Sequence, residues 1–311
     1  MANNISKKHH YISQFYIKGF CDKQSGSLWF YDKKECKLFQ NISSNIFYKK
    51  DMNTIVDSNG NKNDSIEKFQ AELEGMVNSK IKDFVNLLPK IGPNSIIPKE
   101  YFETIIWFAF FTFWRNPQND SIFNKIADKI NGELIFGTIN ELHLIKPNSD
   151  ELGNLLKRTL LSFILLLKKE VIDRIIKHSM IIGTEHSSLL NDYPMLCNSE
   201  STNFEYEYCG IQFKISDFIF PLSKNLTFVY SEHCDWTLIN SLVDNNPQFQ
   251  KTFAQFRDFA IFVNAERFVG CDDRNRIEAI ANNCKNDNIS NIFIFTLLKY
   301  PNEIMAKMQK K

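Results

Sequence analysis

Lys7-Lys8-His9-His10-Tyr11-Ile12-Ser13-Gln14-Phe15-Tyr16-Ile17-Lys18-Gly19-Phe20 joins two adjacent imidazoles to an aromatic stretch that ends in a helix stop. Ile12, Phe15 and Tyr16 recur at helical spacing and Gly19 stands where a C′ glycine belongs. The segment is therefore expected as a short amphipathic helix docked on a core. His9 and His10 then fall at or just before its first turn. Successive helical residues point about 100° apart, so one imidazole is expected to work while the other orients or packs. A histidine can serve as general acid, general base or neutral metal ligand. The structural alternative is a capping or satisfied surface pair beside two lysines.

Outward from this stretch, Leu28 and Phe30 alternate with Trp29 and Tyr31. Lys33-Lys34-Glu35 turns the chain into Lys37-Leu38-Phe39, and Ile46-Phe47-Tyr48 follows, which predicts an antiparallel hairpin or meander. A lone hairpin is marginal in water, so it is expected to lie on the helices that come next. Asp57 to Asp64, with Asn59-Gly60, is a loop. Asp64 and Glu67 form the pattern of a capping box for a helix to about Leu88.

Pro98 opens a helix from Tyr101 to Trp114 that is apolar on every side and so must be enclosed. Helices are expected over Ser121–Leu144 and Ser149–Met180. Short strands follow at Met180–Gly183, Ser188–Leu190, Phe204–Cys209, Ile211–Ile215, Phe218–Phe220 and Leu226–Tyr230, with Pro221-Leu222-Ser223 in a turn. Helices return at Pro247–Phe268 and Arg274–Asn283, before a closing strand, Ile292–Leu298. The class is α+β: an N-terminal hairpin on a helical lobe, then a mixed or antiparallel sheet lobe with helices. The expected segments are 1–60, 61–180 and 181–311, forming one compact unit.

Composition narrows the function. The 37 basic and 36 acidic side chains leave a net charge of +1, so no global field steers a polyanion to the surface. Any nucleic-acid contact must come from a local patch, and Lys7-Lys8, Lys33-Lys34, Lys49-Lys50 and the tail from Lys307 are the candidates. The 28 phenylalanines are core by default. Seven cysteines without a Cys-x-x-Cys pair suggest neither a zinc ribbon nor a disulfide scaffold. With a polar N-terminus, this points to the cytoplasm. The longest apolar run, Ile105 to Trp114, is too short for a membrane span, which needs about 20 residues. No Gly-rich phosphate loop, Gly-x-Ser-x-Gly or His-Glu-x-x-His occurs.

Polar groups in apolar settings mark the candidate site. Ile66, Phe69, Leu73, Val77 and Phe84 define one helix face; Glu74 falls inside that arc and Glu67 at its edge. Their separation of seven residues is about 10.5 Å along the axis, so another element must come between them for joint action. Glu67 has a structural explanation in the capping box, Glu74 in pairing with a buried cation. Arg115 ends the buried helix and needs Glu74, Asp192 or a ligand anion; an ion pair with a site carboxylate is preferred over direct substrate contact. Asp192 lies in a turn at a strand end, where turn chemistry also selects Asp.

The same residues carry a resemblance. His9-His10-Tyr11 with Phe15-Tyr16-Ile17-Lys18-Gly19-Phe20, then Leu28-Trp29-Phe30-Tyr31-Asp32, resembles the opening of a bacterial family of unknown function called DUF4238. Further similar pieces follow in order: Ile66-Glu67-Lys68 with Glu74, Arg115-Asn116-Pro117, Asn191-Asp192-Tyr193-Pro194, Phe220-Pro221-Leu222-Ser223 and Val263-Asn264-Ala265. Ser13 stands where the family has proline, and Leu190-Asn191-Asp192-Tyr193-Pro194 replaces a Thr-Ser-Asp-Asn-Pro run. The resemblance implies an architecture and a residue list, not a reaction.

Together, His9, His10, Glu67, Glu74, Arg115 and Asp192 are the parts of a hydrolase of phosphate esters: base or metal ligand, acids and a charge clamp. A nuclease-like phosphodiesterase acting on nucleic acid or nucleotide is the preferred expectation, in the setting of a toxin or phage-defence effector. A divalent metal ion is a compatible cofactor, with His10, Glu74 and Asp192 as candidate ligands. The alternative is a non-catalytic binding or regulatory module whose charged cluster is a structural ion-pair network.

Overall fold

A computed structural model describes residues 7–56, 60, 62–87, 97–127, 169–208, 211–286 and 292–309. In chain order they form β1 (Lys8–His10), α1 (Gln14–Lys18), β2 (Ser27–Asp32), β3 (Lys37–Ile42), β4 (Tyr48–Lys50), β5 (Ile55–Val56), β6 (Lys62–Asn63), α2 (Ser65–Leu87), α3 (Lys99–Arg115) and α4 (Asp120–Ala127). There follow α5 (Lys169–Lys177), β7 (Ser179–Gly183), β8 (Leu190–Asn191), β9 (Leu196–Cys197), β10 (Phe204–Tyr208), β11 (Ile211–Ile215), β12 (Phe218–Ser223) and β13 (Leu226–Tyr230). The chain closes with α6 (Trp236–Asn245), α7 (Pro247–Asn264), β14 (Phe268–Cys271), α8 (Arg274–Asn286), α9 (Ile292–Lys299) and α10 (Pro301–Gln309). The class is α+β, as expected. Most of the helices predicted over 121–144 and 149–180 lies outside the described residues.

Two compact units divide these elements. The first takes the described residues of Met1–Ser13, Phe47–Ile172 and Glu205–Phe213; the second takes those of Gln14–Ile46, Asp173–Phe204 and Lys214–Lys311. The organising stretch therefore splits: its histidines belong to the first unit, and the helix behind them to the second.

In the first unit α2 packs on α3. Ile66, Val77 and Phe84 are buried on α2, and Phe84 lies 5.3 Å from the Tyr101 ring. Every residue from Ile105 to Thr112 is buried, so α3 is enclosed as its composition requires. It stops because Asn116 leaves helical geometry and accepts from the Gln118 N–H, while Asn119 donates to the Phe113 carbonyl at 2.6 Å.

The second unit holds two four-stranded antiparallel sheets, β7-β13-β12-β9 and β3-β2-β14-β8. The predicted hairpin β2–β3 forms, and β2 gains its support from β14 and from α8. Strand register explains Gly270, which lies opposite Phe30: an added Cβ would stand 2.7 Å from the Phe30 ring. Gly270→Ala is accordingly expected to lower stability by about 1–3 kcal/mol through overpacking, measured by chemical denaturation; an unchanged midpoint would mean that the ring yields freely.

Two elements depart from expectation. Ile292–Leu298 is helical, because Ile294, Leu297 and Leu298 are buried at helical spacing while Phe293 stays exposed. A short apolar run does not discriminate helix from strand by periodicity. Pro221 lies within β12, where a register shift between Pro221 and Ser223 spares the ladder the missing N–H. Tyr16 stacks on Phe220 at 5.3 Å and donates its hydroxyl to the Pro221 carbonyl, which docks α1 on this strand.

Lys33 is not a surface cation. Its ammonium donates to the carbonyls of Phe262 (3.0 Å) and Val263 (3.1 Å) and to that of Ala265, satisfying the exposed end of α7. Burial holds its pKa below the ordinary lysine value.

Candidate functional site

The histidines stand on a strand, not at a helix start. β1 pairs antiparallel with β4, with Lys8 opposite Lys50, His9 opposite Lys49 and His10 opposite Tyr48. Strand side chains alternate, so the two imidazoles point to opposite faces. One point of action for both is thereby ruled out, by period two where a 100° helical step had been expected.

His9 is fully buried, and its Nδ1 accepts the backbone N–H of Asn53 at 2.7 Å. That bond assigns the imidazole proton to Nε2. The Asn53 side chain continues the network, donating to Glu67 Oε2 at 2.6 Å and to Gln70 Oε1 at 3.0 Å. Glu67, Gln70 and Glu74 follow at steps of three and four along α2 and so share one face. Arg115 closes the set from the end of α3: one terminal nitrogen lies 3.7 Å from Glu67 and the other is bonded to Glu74. The guanidinium is thus the group that bridges two carboxylates a helix rise of about 10.5 Å would separate.

Glu67 does not close a capping box. Its carboxylate is spent on Asn53 and Arg115, and the α2 N-terminus uses the Asp64 carbonyl, which accepts from the Lys68 N–H. Two carboxylates meet one arginine, so the cluster carries a formal charge of −1. Arg115 is 5% exposed and each acid 19%, which removes much of water's screening. Among the described residues, the buried Arg115 Nε has no hydrogen-bond partner.

His10 occupies the other face of β1. It is 7% exposed, and its ring is tilted against Tyr48 at 5.7 Å; the Lys8 ammonium lies 4.8 Å from the centre of the same Tyr48 ring.

Asp192 belongs to the second unit and takes a structural part there. Its oxygens accept three backbone N–H groups, from Glu266 (2.9 Å), Arg267 (2.8 Å) and Phe268 (3.0 Å). Burial raises its pKa above the usual carboxylate value, against those three bonds. Asn191 and Asn264 tie the same region, donating to Ile261 and Tyr193 carbonyls. The motifs at Asn191–Pro194 and Val263–Ala265 are therefore two sides of one docking surface. Among the described residues, no three His, Cys, Asp or Glu side chains group as metal ligands. Of the candidate ligands, Glu74 is held by Arg115 in the first unit and Asp192 by its three backbone bonds in the second.

Sequence reasoning missed Asn53 and Gln70. Gln70 had a signal, an amide three residues after Glu67 and four before Glu74 on the buried arc. Asn53 had none, because it acts through backbone and side chain across 44 and 14 positions.

Among the described residues, no helix is long and apolar enough to cross a membrane. No curated protein and no solved structure matches the chain. The model of one family, described as a protein of unknown function (DUF4238), matches residues 8–275. That span includes the histidine strand, the Glu67–Glu74–Arg115 cluster and the Asp192 turn, and the chain belongs to the DUF4238 family.

Proposed function

We propose that the chain hydrolyses phosphodiesters, with His10 as the acid–base group and Lys8 and Lys50 neutralising charge on the phosphoryl oxygens. The observation that carries the reading is the β1–β4 register: it sets Lys8, Lys50 and His10 on one face of the ribbon. An imidazole there can take a proton from attacking water and return one to the leaving oxygen. His9, Asn53, Glu67 and Arg115 then position β1 from behind, and none of them has to touch substrate. This departs from an arginine clamp on substrate, since Arg115 is engaged by two acids.

A second reading has its own observation. Both imidazoles are nearly enclosed, which suits a non-catalytic strut holding β1 to α2 and α3. His10→Ala and His10→Asn, with thermal melts confirming the fold, separate the two. With a generic phosphodiester such as bis(p-nitrophenyl) phosphate, the catalytic reading expects a rate loss of about 100-fold or more at unchanged melting temperature. Equal rates for variants and wild type would leave only the strut.

A further inference from the structure

β3 is the outermost strand of the sheet β3-β2-β14-β8, and its six residues make a longer edge than the two of β8. The direction of its main-chain groups follows from bonds on either side of β2. The Lys33 N–H donates to the Arg267 carbonyl at 2.8 Å, continuing the register that pairs Asp32 with Phe268 and Tyr31 with Val269. Antiparallel pairs alternate between bonded and non-bonded, so the odd-numbered residues of β2 bond towards β14 and the even-numbered ones towards β3. Leu28–Asn41, Phe30–Phe39 and Asp32–Lys37 are therefore the bonded pairs of the hairpin. The Ser27–Ile42 pair agrees: the Ser27 carbonyl takes the Asp22 N–H at 3.1 Å, and the Ile42 N–H goes to Asn41 Oδ1 at 2.9 Å. Leu38 and Gln40 thus direct N–H and C=O away from the sheet, where among the described residues they meet no main-chain partner.

Natural edges are blunted by proline, by bulges or by inward-pointing charges. β3 has none of these. Its register with β2 is unbroken, it holds no proline, and its one charge, Lys37, is exposed at the end that leaves the turn, paired with Glu35. Such an edge is a template for another strand, and β3 fits its own copy. A two-fold axis through Phe39 sets Leu38 opposite Gln40 of the second copy, and Gln40 opposite the Leu38 of that copy. Those two pairs use all four outward groups and leave the Ile42 N–H on Asn41. Phe39 meets its copy at a non-bonded position, where Cα atoms approach to about 4.5 Å and aromatic pairs are favourable. The half-buried ring already stacks on Phe30 at 5.7 Å and meets Phe268 edge-on at 6.0 Å, so the new pair extends an aromatic row. Lys37 falls opposite Asn41, and the two copies of Lys37 stand about 13 Å apart along the strands, beyond a screening length of about 8 Å.

We infer that the chain forms a two-fold dimer by antiparallel β3–β3 pairing, which joins two four-stranded sheets into one of eight. Six residues a side is well short of the about 20–30 of a standard interface, so the dimer exchanges with monomer and its share rises with concentration. Sedimentation equilibrium of the full-length chain is the measurement. Gln40→Pro is the decisive variant: the Gln40 N–H points outward, so proline costs the β2–β3 ladder no bond but removes a donor from each side of the dimer. Gln40→Ala is its control, because both variants lose the side-chain bond to Ser27 Oγ at 2.6 Å and only alanine keeps the N–H. The dissociation constant is expected to be more than about tenfold higher for proline than for alanine, as the loss of two main-chain bonds requires.

Thiol trapping reads the register independently, in a Cys36→Ser background that removes the exposed native thiol. Lys37→Cys chains mixed with Asn41→Cys chains give a covalent dimer on mild oxidation, because these positions are opposed. Neither variant alone does so, each thiol lying about 13 Å from its copy. Monomer at every concentration up to about 1 mM, a dimer as tight with proline as with alanine, or cross-links in either single-variant sample as readily as in the mixture would each overturn the inference. Should circular dichroism show that Gln40→Pro does not fold, the mixed cross-link decides, and its absence counts against the pairing.

Discussion

Arg115→Ala destabilises the first unit by about 3–5 kcal/mol, the expected cost of stranding partly buried charges without their partner. Glu67 and Glu74, each 19% exposed, would be left as like charges with only the Asn53 amide between one of them and His9. Loss of packing adds to this, since the guanidinium also lies 5.6 Å from the centre of the Phe111 ring. Because the chain has two units, one melting temperature is a poor reporter, and hydrogen exchange of α2 and α3 amides is the measurement that localises the effect. Adding Glu67→Gln and Glu74→Gln to the Arg115→Ala chain is expected to recover a good part of the loss, because it removes the orphaned charges. If Arg115→Ala alone leaves exchange at α2 unchanged, the ion pairs contribute nothing and the network is incidental.

Asp258→Ala has the largest expected effect in the second unit, through a cluster that carries no ionic signature in sequence. Arg257 is fully buried and donates to Asp258 (3.1 Å), to the hydroxyls of Thr184 (3.1 Å) and Thr227 (3.3 Å) and to the His186 carbonyl (3.2 Å). Asp258 also takes the Leu189 N–H at 3.3 Å and is bonded to Arg276. Burial lowers the Arg257 pKa below the ordinary arginine value even beside that carboxylate. An arginine cannot escape by deprotonating, so removal of Asp258 strands a buried cation at a cost of about 3–5 kcal/mol. Loss of hydrogen-exchange protection at the α7 amides is the corresponding readout. Arg257→Met/Asp258→Ala together should cost less than Asp258→Ala alone; if the double variant is the worse of the two, packing and not charge dominates the site.

Both clusters show where local inspection of the chain ends. Glu74 was legible because a carboxylate interrupted an apolar arc, and Arg115 because a cation ended a helix too apolar to be exposed. Their pairing follows from α2 lying against α3. Arg257-Asp258, by contrast, reads as ordinary helix surface in α7, and only the elements around it enclose the pair. Asp192 meets the same limit: a turn carboxylate at a strand end has the same local pattern whether it faces a substrate or caps a backbone, and here its oxygens accept the Glu266–Phe268 N–H groups.

From the sequence alone came the α+β class, the β2–β3 hairpin, the enclosed helix α3 and the need of Arg115 for a partner, with Glu74, Asp192 or a ligand anion left as the options, all of which rest on period, capping and the cost of burying charge. Tertiary structure decided that β2 pairs with β14, that Ile292–Lys299 coils, that Lys33 closes α7, and that Asn53 joins His9 to the acids. It also brought Lys7-Lys8 beside Lys49-Lys50. Periodicity is a local property that each segment carries with it, whereas strand partners and long-range hydrogen bonds depend on which surfaces meet after collapse, and no spacing along the chain encodes them.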